Sequence, residues 1–273
     1  METLGFIPVG KFAEVSITGH YCPLNCPMCR GKWLRGMIPA TSPAGLVRLG
    51  RSLRKKGIEG ILISGGLGID GKLPLRPFAS AIRELKEMGF FISVHTGVVG
   101  EEEAKLLSMA QVDLADYELI LDEEAIRRAK SLKLTPEDFV RGMELLVESS
   151  IEVVPHITVG LPGSREKWFE DAANVIRELG IRRSVVLVFI PTPDTPFEDY
   201  EPPPLGRMVE ITRALSRSSK VSLGCMRPPW MKKRLDNALK GLVDRIANPH
   251  PSIGLSIVHA CCSIPEELIE RFL

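Results

Sequence analysis

The sequence predicts an α/β protein: a (β/α) barrel, full or partial, with an irregular C-terminal extension. Three observations point there. Apolar runs alternate with amphipathic stretches along most of the 273 residues, the pattern of serial βα units. The runs are apolar almost throughout, which suits parallel strands covered on both faces. The length fits one large domain, since α/β barrels of roughly 200–250 residues commonly fold as a unit. A doubly wound open sheet satisfies the same pattern. In either fold the ligand sits at the carboxyl ends of the strands.

In chain order, residues 13–18, 60–64, 90–95, 112–118, 153–159, 184–190 and 221–225 read as strands. Helices are expected over 43–56, 76–88, 101–109, 122–131, 136–149, 164–179, 205–218 and 230–241. Thr135-Pro136-Glu137-Asp138 combines a cap, a first-turn proline and an acidic first turn. Gly57, Gly89 and Gly180 follow helices, where a left-handed residue closes the last turn. The proline-rich stretch 191–204 reads as an ordered loop over the active face. Beyond Asp244 the tail is irregular until a short helix at 266–272. Residues 1–225 are thus the barrel core, and 226–273 an extension within the same folding unit.

Composition excludes little but orders the alternatives. The hydrophobic share is 44%, the charged share 25% and the net charge +1, ordinary values for a globular domain. The balance gives no reason to expect a nucleic-acid or membrane partner. The first residues lack a signal-peptide pattern, and no apolar run reaches the roughly 18 residues of a membrane span. A cytoplasmic location is the expectation.

Three of the six cysteines fall in Cys22-Pro-Leu-Asn-Cys26-Pro-Met-Cys29, just after the first predicted strand. In a reducing compartment such a cluster points to metal or redox chemistry. Three thiolates on one loop leave one iron of a four-iron cubane open to a small chelating molecule. Pro23 and Pro27 stiffen the loop and reduce the entropy lost on wrapping. A zinc site of the three thiols plus His20 is the rival.

The C-x3-C-x2-C loop after the first strand of an α/β chain resembles the radical S-adenosylmethionine family. The resemblance spans about residues 12–225 and implies a barrel of the radical SAM type. It implies a [4Fe–4S] cluster on Cys22, Cys26 and Cys29, with S-adenosyl-L-methionine chelating the open iron and yielding a 5′-deoxyadenosyl radical. Met28 stands where the family often has an aromatic residue over the adenine. Gly65 and Gly66 stand where the family receives the methionine amino group, with Leu67 replacing the family's Glu. His156 and Thr158 resemble the segment lining adenine and ribose, and Ile190 the backbone contact to adenine. His95 and Glu118, at strand ends, are candidates for ribose or substrate.

Cys225, Cys261 and Cys262 remain. Cys225 ends a late strand on the active face, and a returning tail would bring Cys261 or Cys262 beside it. The functional reading is an auxiliary [4Fe–4S] cluster, with Ser263, Ser218 or Ser219 as an oxygen ligand; plain buried thiols are the alternative. A second cluster implies sulfur insertion. Phe189-Ile-Pro-Thr-Pro-Asp-Thr-Pro196 is similar to a stretch of biotin synthases. No cysteine lies between Cys29 and Cys225, which argues against biotin synthase proper. Gly224-Cys-Met-Arg-Pro228 and the C-terminal cysteines look more like the archaeal two-protein lipoyl synthases. That likeness implies a paralogous radical SAM partner protein, an octanoylated carrier domain as substrate and a reductant such as ferredoxin. Other readings are a biotin synthase-like enzyme, a methyltransferase, a cofactor-assembly protein, a non-catalytic iron–sulfur carrier and a zinc-stabilised binding protein. Lys32, Arg35 and Arg227 are candidate anion contacts.

Overall fold

The computed structural model describes residues 2–165 and 167–273. Among these, the strands in chain order are β1 (Leu4–Phe6), β2 (Phe12–Ser16), β3 (Ile38–Pro39), β4 (Gly60–Ser64), β5 (Phe91–His95), β6 (Leu114–Glu118), β7 (Glu152–Val159), β8 (Arg183–Val188), β9 (Lys220–Leu223), β10 (Arg245–Ala247) and β11 (Ile257–Val258). All named pairings are parallel, in the spatial order β11-β1-β10-β9-β8-β7-β6-β5-β4-β2-β3. No pairing joins β3 to β11 among the described residues, so the barrel is partial.

The helices α1 (Pro43–Lys55), α2 (Ala79–Glu87), α3 (Glu101–Met109), α4 (Glu123–Ala125), α5 (Pro136–Glu148), α6 (Trp168–Glu178), α7 (Leu205–Leu215) and α8 (Lys232–Leu239) wrap the sheet. Except for α4 and α5, which share the β6–β7 crossover, each follows a strand, and the longer helices bury apolar residues against the sheet, as with Leu46 and Leu53 of α1 and Ile82 and Leu85 of α2. Close approach of α1 to α2 requires Gly50, where a Cβ would lie 2.1 Å from Leu85 Cδ2. The cap at Thr135 forms as expected, its hydroxyl accepting from the Asp138 N–H while the Asp138 carboxylate accepts from the Thr135 N–H. Among the described residues no helix is long and apolar enough to cross a membrane.

Strand side chains alternate between faces, and the inner face is sorted by height. Its lower layer is apolar: Phe12, Phe91 and Phe272 have ring centroids 5.6–6.5 Å apart, with Leu62, Leu114 and Val154 beside them. Phe272 belongs to the C-terminal 3-10 turn Glu266–Phe272, which plugs the floor of the barrel. Two residues further along the same strands the inner face turns polar, at Glu14, Ser64, Asp116 and His156. Register aligns this layer, with His95 opposite Asp116 and Glu118 opposite His156.

The seven predicted strands are present, that at 60–64 with the expected ends and the others with ends at most two residues away. β1, β3, β10 and β11 were not expected, because strands of two or three residues show no period. β10 and β11 flank β1, so the tail read as irregular adds two strands to the sheet. The helix expected from residue 164 begins at Trp168, and Glu166 in that span lies outside the described residues. The stretch 122–131 divides into α4 and the π turn Ile126–Lys130.

Candidate active site

The cysteine loop is shaped by left-handed residues, Gly19, Asn25, Arg30 and Gly31, and docked by backbone bonds. The Leu24 N–H donates to the Leu67 carbonyl at 2.8 Å, and the Met28 N–H to the Ala129 carbonyl at 3.1 Å. Gly66 permits this seating: a Cβ there would stand 2.2 Å from the Tyr21 carbonyl oxygen and 2.4 Å from Cys22 Cα. Its N–H donates to the Thr18 hydroxyl at 2.6 Å.

Cys22, Cys26 and Cys29 line a cavity of about 200 Å³, together with Met28, Gly65, His95, Glu118, His156 and Thr158. Of the residues expected at the cofactor, Gly66 supports the loop from behind, and Ile190 lines neither this cavity nor the one described next. The Ile190 carbonyl accepts instead from the Thr192 hydroxyl. Asp116 and Lys130 also line the cavity, and neither stood out in the sequence. Asp116 shares the inward face with Glu118 by strand period, a signal available from the sequence. Lys130 sits in a basic run that reads as solvated surface, and the π turn brings it inward.

The donor set suits an iron–sulfur cluster. Thiolates are the ligand form, and the Cys26 thiol is held down to about 6 by a hydrogen bond from Cys29, against the effect of burial and with help from the Lys130 charge. Cys29, which keeps the shared proton, is pushed up. Burial opposes the charge of Lys130, but Glu118, 2.7 Å away, and the two thiols outweigh it and raise its pKa. His20 is exposed and does not line the cavity, so the zinc reading lacks its fourth ligand there.

A second cavity of about 250 Å³ holds Cys225, Cys261 and Cys262 with Glu14. Trp33, Leu34, His95, His156, Leu187 and Met226 line both cavities, so the two are chambers of one lumen. Cys225 is open to the cavity but enclosed by protein. That burial pushes its thiol up to about 12, with Cys261 and Glu14 adding to the rise. The neighbouring Cys261 thiol and burial push Cys262 up as well, and both adjacent cysteines line the cavity. Arg245, on β10, holds the Cys262 carbonyl at 2.9 Å. Glu14 is the charged residue that sequence reasoning passed over in an apolar strand, and burial raises its carboxyl. Ser263 lies 3.1 Å from the Cys261 sulfur. Ser219 bonds Ser184 at the amino ends of β9 and β8, so Ser218 and Ser219 are remote from the thiols.

The basic candidates resolve differently from expectation. Arg227 is fully buried against Asp236, 2.9 Å away, which removes it as a ligand contact. Lys32 pairs with Asp194 at 2.6 Å, and Arg30 donates to the Asp194 carbonyl at 2.8 Å. These bonds tie the proline-rich loop to the segment that follows the cysteines. Arg35 is exposed.

A family model described as the Radical SAM superfamily matches residues 16–176. A tRNA-2-methylthio-N(6)-dimethylallyladenosine synthase of Clostridium novyi (strain NT) is 21% identical over 241 residues, covering 78% of this chain and 53% of that protein. One of the same name from Vibrio campbellii (strain ATCC BAA-1116) is 30% identical over 94 residues, 34% of this chain and 19% of that protein. The chain spans about half the length of the first relative. Methylornithine synthase is similar in structure, with a TM-score of 0.62 at 12% identity over 97% of this chain and 77% of its own. The FeFe-hydrogenase maturase HydG of Carboxydothermus hydrogenoformans has a TM-score of 0.62 at 14% identity, over 90% and 58%. At such identities these structures speak to the fold.

Proposed function

The chain belongs to the radical S-adenosylmethionine superfamily, and from that premise we propose that it inserts sulfur into an unactivated C–H bond, as one subunit of a lipoyl synthase acting on a protein-bound octanoyl-lysine. The family implies a [4Fe–4S] cluster with S-adenosyl-L-methionine, whose reductive cleavage supplies the radical that removes a hydrogen atom. Cys22, Cys26 and Cys29 would hold that cluster. Gly65 offers its backbone beside it, and Met28 an apolar face.

One observation carries the reading: a second set of three thiols, Cys225, Cys261 and Cys262, lines a chamber continuous with the first. A carbon activated in the first chamber needs no transit through solvent to meet a sulfur source in the second. The walls shared by the chambers, Trp33, Leu34, Leu187 and Met226, suit an alkyl chain. The curated relatives, named for a methylthio group, are compatible with sulfur chemistry. A paralogous radical SAM protein, an octanoylated carrier domain and a reductant such as ferredoxin are the partners this reading requires.

The test is iron and sulfide content after anaerobic reconstitution, for wild type and a Cys22→Ala/Cys26→Ala/Cys29→Ala variant. About eight irons falling to about four is expected for two four-iron clusters. About four falling to none would remove the auxiliary cluster and the lipoyl reading with it. With two clusters established, an octanoyl-lysine peptide incubated with the partner protein and reductant should gain sulfur by mass spectrometry.

A further inference from the structure

Three inward side chains meet where the chambers join: His95 and His156, expected at the cofactor or substrate, line both chambers, and Asp116 lines the first. Asp116 is 2% exposed, and neither of its carboxylate oxygens has a hydrogen-bond partner among the described residues. An ionised carboxylate so placed is costly unless a positive charge meets it. The nearest candidates are two imidazoles: His95 Nε2 is 3.9 Å from Asp116 Oδ2, and His156 Nε2 is 3.8 Å from Asp116 Oδ1. Both separations are too long for hydrogen bonds.

The hydrogen bonding of His156 sharpens the problem. Its Nδ1 lies 3.0 Å from the Val154 carbonyl oxygen, which can only accept, so Nδ1 carries the proton. In the neutral ring Nε2 then presents a lone pair toward the Asp116 carboxylate. Burial favours the neutral form of His95, against the pull of Asp116. The His156 lone pair, the His95 Nε2 and the unpartnered Asp116 carboxyl face one another, and the three donor atoms lie within 4.8 Å of one another.

We propose that His95, Asp116 and His156 form a binding site for a divalent first-row metal ion, distinct from both sets of thiols and placed where the two chambers meet. The donor set, two imidazoles and one carboxylate, suits Mn²⁺, Fe²⁺ or Zn²⁺. A ring whose other nitrogen donates to a backbone carbonyl is the usual arrangement of a metal-bound histidine. With bonds of about 2.1 Å, neighbouring donors stand roughly 3.0–3.5 Å apart, so the three groups need close only slightly. Three protein ligands leave positions open toward the lumen, where an oxygen of the substrate could bind.

The test titrates Mn²⁺ into the anaerobically reconstituted wild-type protein and follows the six-line EPR signal of the free ion. Mn²⁺ is chosen because thiolates are poor ligands for it. One ion per chain should be withdrawn from the signal, with or without saturating S-adenosylmethionine. Asp116→Asn, which keeps shape and volume, and His156→Ala should each weaken uptake at least tenfold while iron content and circular dichroism stay as in wild type. Three results overturn the site: no uptake by wild type, uptake undiminished in both variants, or full displacement of Mn²⁺ by S-adenosylmethionine.

Discussion

Lys130 Nζ stands 2.7 Å from Glu118 Oε2, and this pair forms part of the wall of the cavity that Cys26 and Cys29 line. A lysine buried beside thiolates stabilises the more negative state of whatever those thiolates bind. Lys130→Met removes that charge and leaves Glu118 unbalanced, two effects of the same sign. The midpoint potential of the cluster on Cys22, Cys26 and Cys29 should fall by on the order of tens of millivolts. Redox titration followed by EPR measures it; an unchanged potential would mean that solvent screens the pair.

Gly66→Ala should separate the cysteine loop from the end of β4. The new Cβ would press on the Tyr21 carbonyl and Cys22 Cα, both backbone atoms that no rotamer change relieves. A loss of about 1–3 kcal/mol is expected for such overpacking, together with lower iron content at Cys22, Cys26 and Cys29. Denaturant unfolding and iron analysis of the same preparation would show both.

Arg227→Met should be among the most destabilising single changes. Arg227 and Asp236 are both fully buried, and Asp236 also accepts from the His250 N–H at 2.7 Å. Removing one partner strands the other's charge, at about 3–5 kcal/mol. A second substitution, Asp236→Leu, should recover part of the loss. A double variant no more stable than Arg227→Met in urea unfolding would assign the cost to packing rather than charge.

Acid should loosen the barrel floor through Glu59. Its carboxyl is held below the usual range by a hydrogen bond from Arg271, with Arg54 adding to the effect. A depressed folded-state pKa contributes stability that is present above the unfolded value, about 4.3, and lost as pH falls through the folded one. The Tm difference between wild type and Glu59→Gln should therefore favour wild type near neutrality and vanish in acid. It should also shrink in high salt, since the pair is partly exposed.

The parts of this fold legible in the sequence are those with local causes. Serial βα units announce themselves because a buried parallel strand is apolar throughout and its crossover helix is amphipathic. The triad Cys22, Cys26 and Cys29 is equally local, since one loop carries it. Asp116, Glu14 and Lys130 were missed for different reasons. The first two are single charges in apolar strands, and which face a residue takes depends on the strand's exact start. Lys130 turns inward because five residues adopt a π turn, and its neighbours Arg127 and Arg128 mask it as surface. The meeting of Cys225 with Cys261 and Cys262 rests on β10 and β11 bracketing β1, a long-range pairing of strands too short to show a period.

A closed barrel can widen only by breaking a ladder of hydrogen bonds. Here, among the described residues, β11 and β3 end the sheet without joining, and β3 is two exposed residues, one of them Pro39. Splaying these edges therefore breaks no ladder between them. The wall can breathe along that seam while the ladder from β1 through β10 and β4 to β2 stays in register. Passage into the lumen then becomes a matter of elastic strain in a bent sheet, with amide exchange fastest at its two free margins.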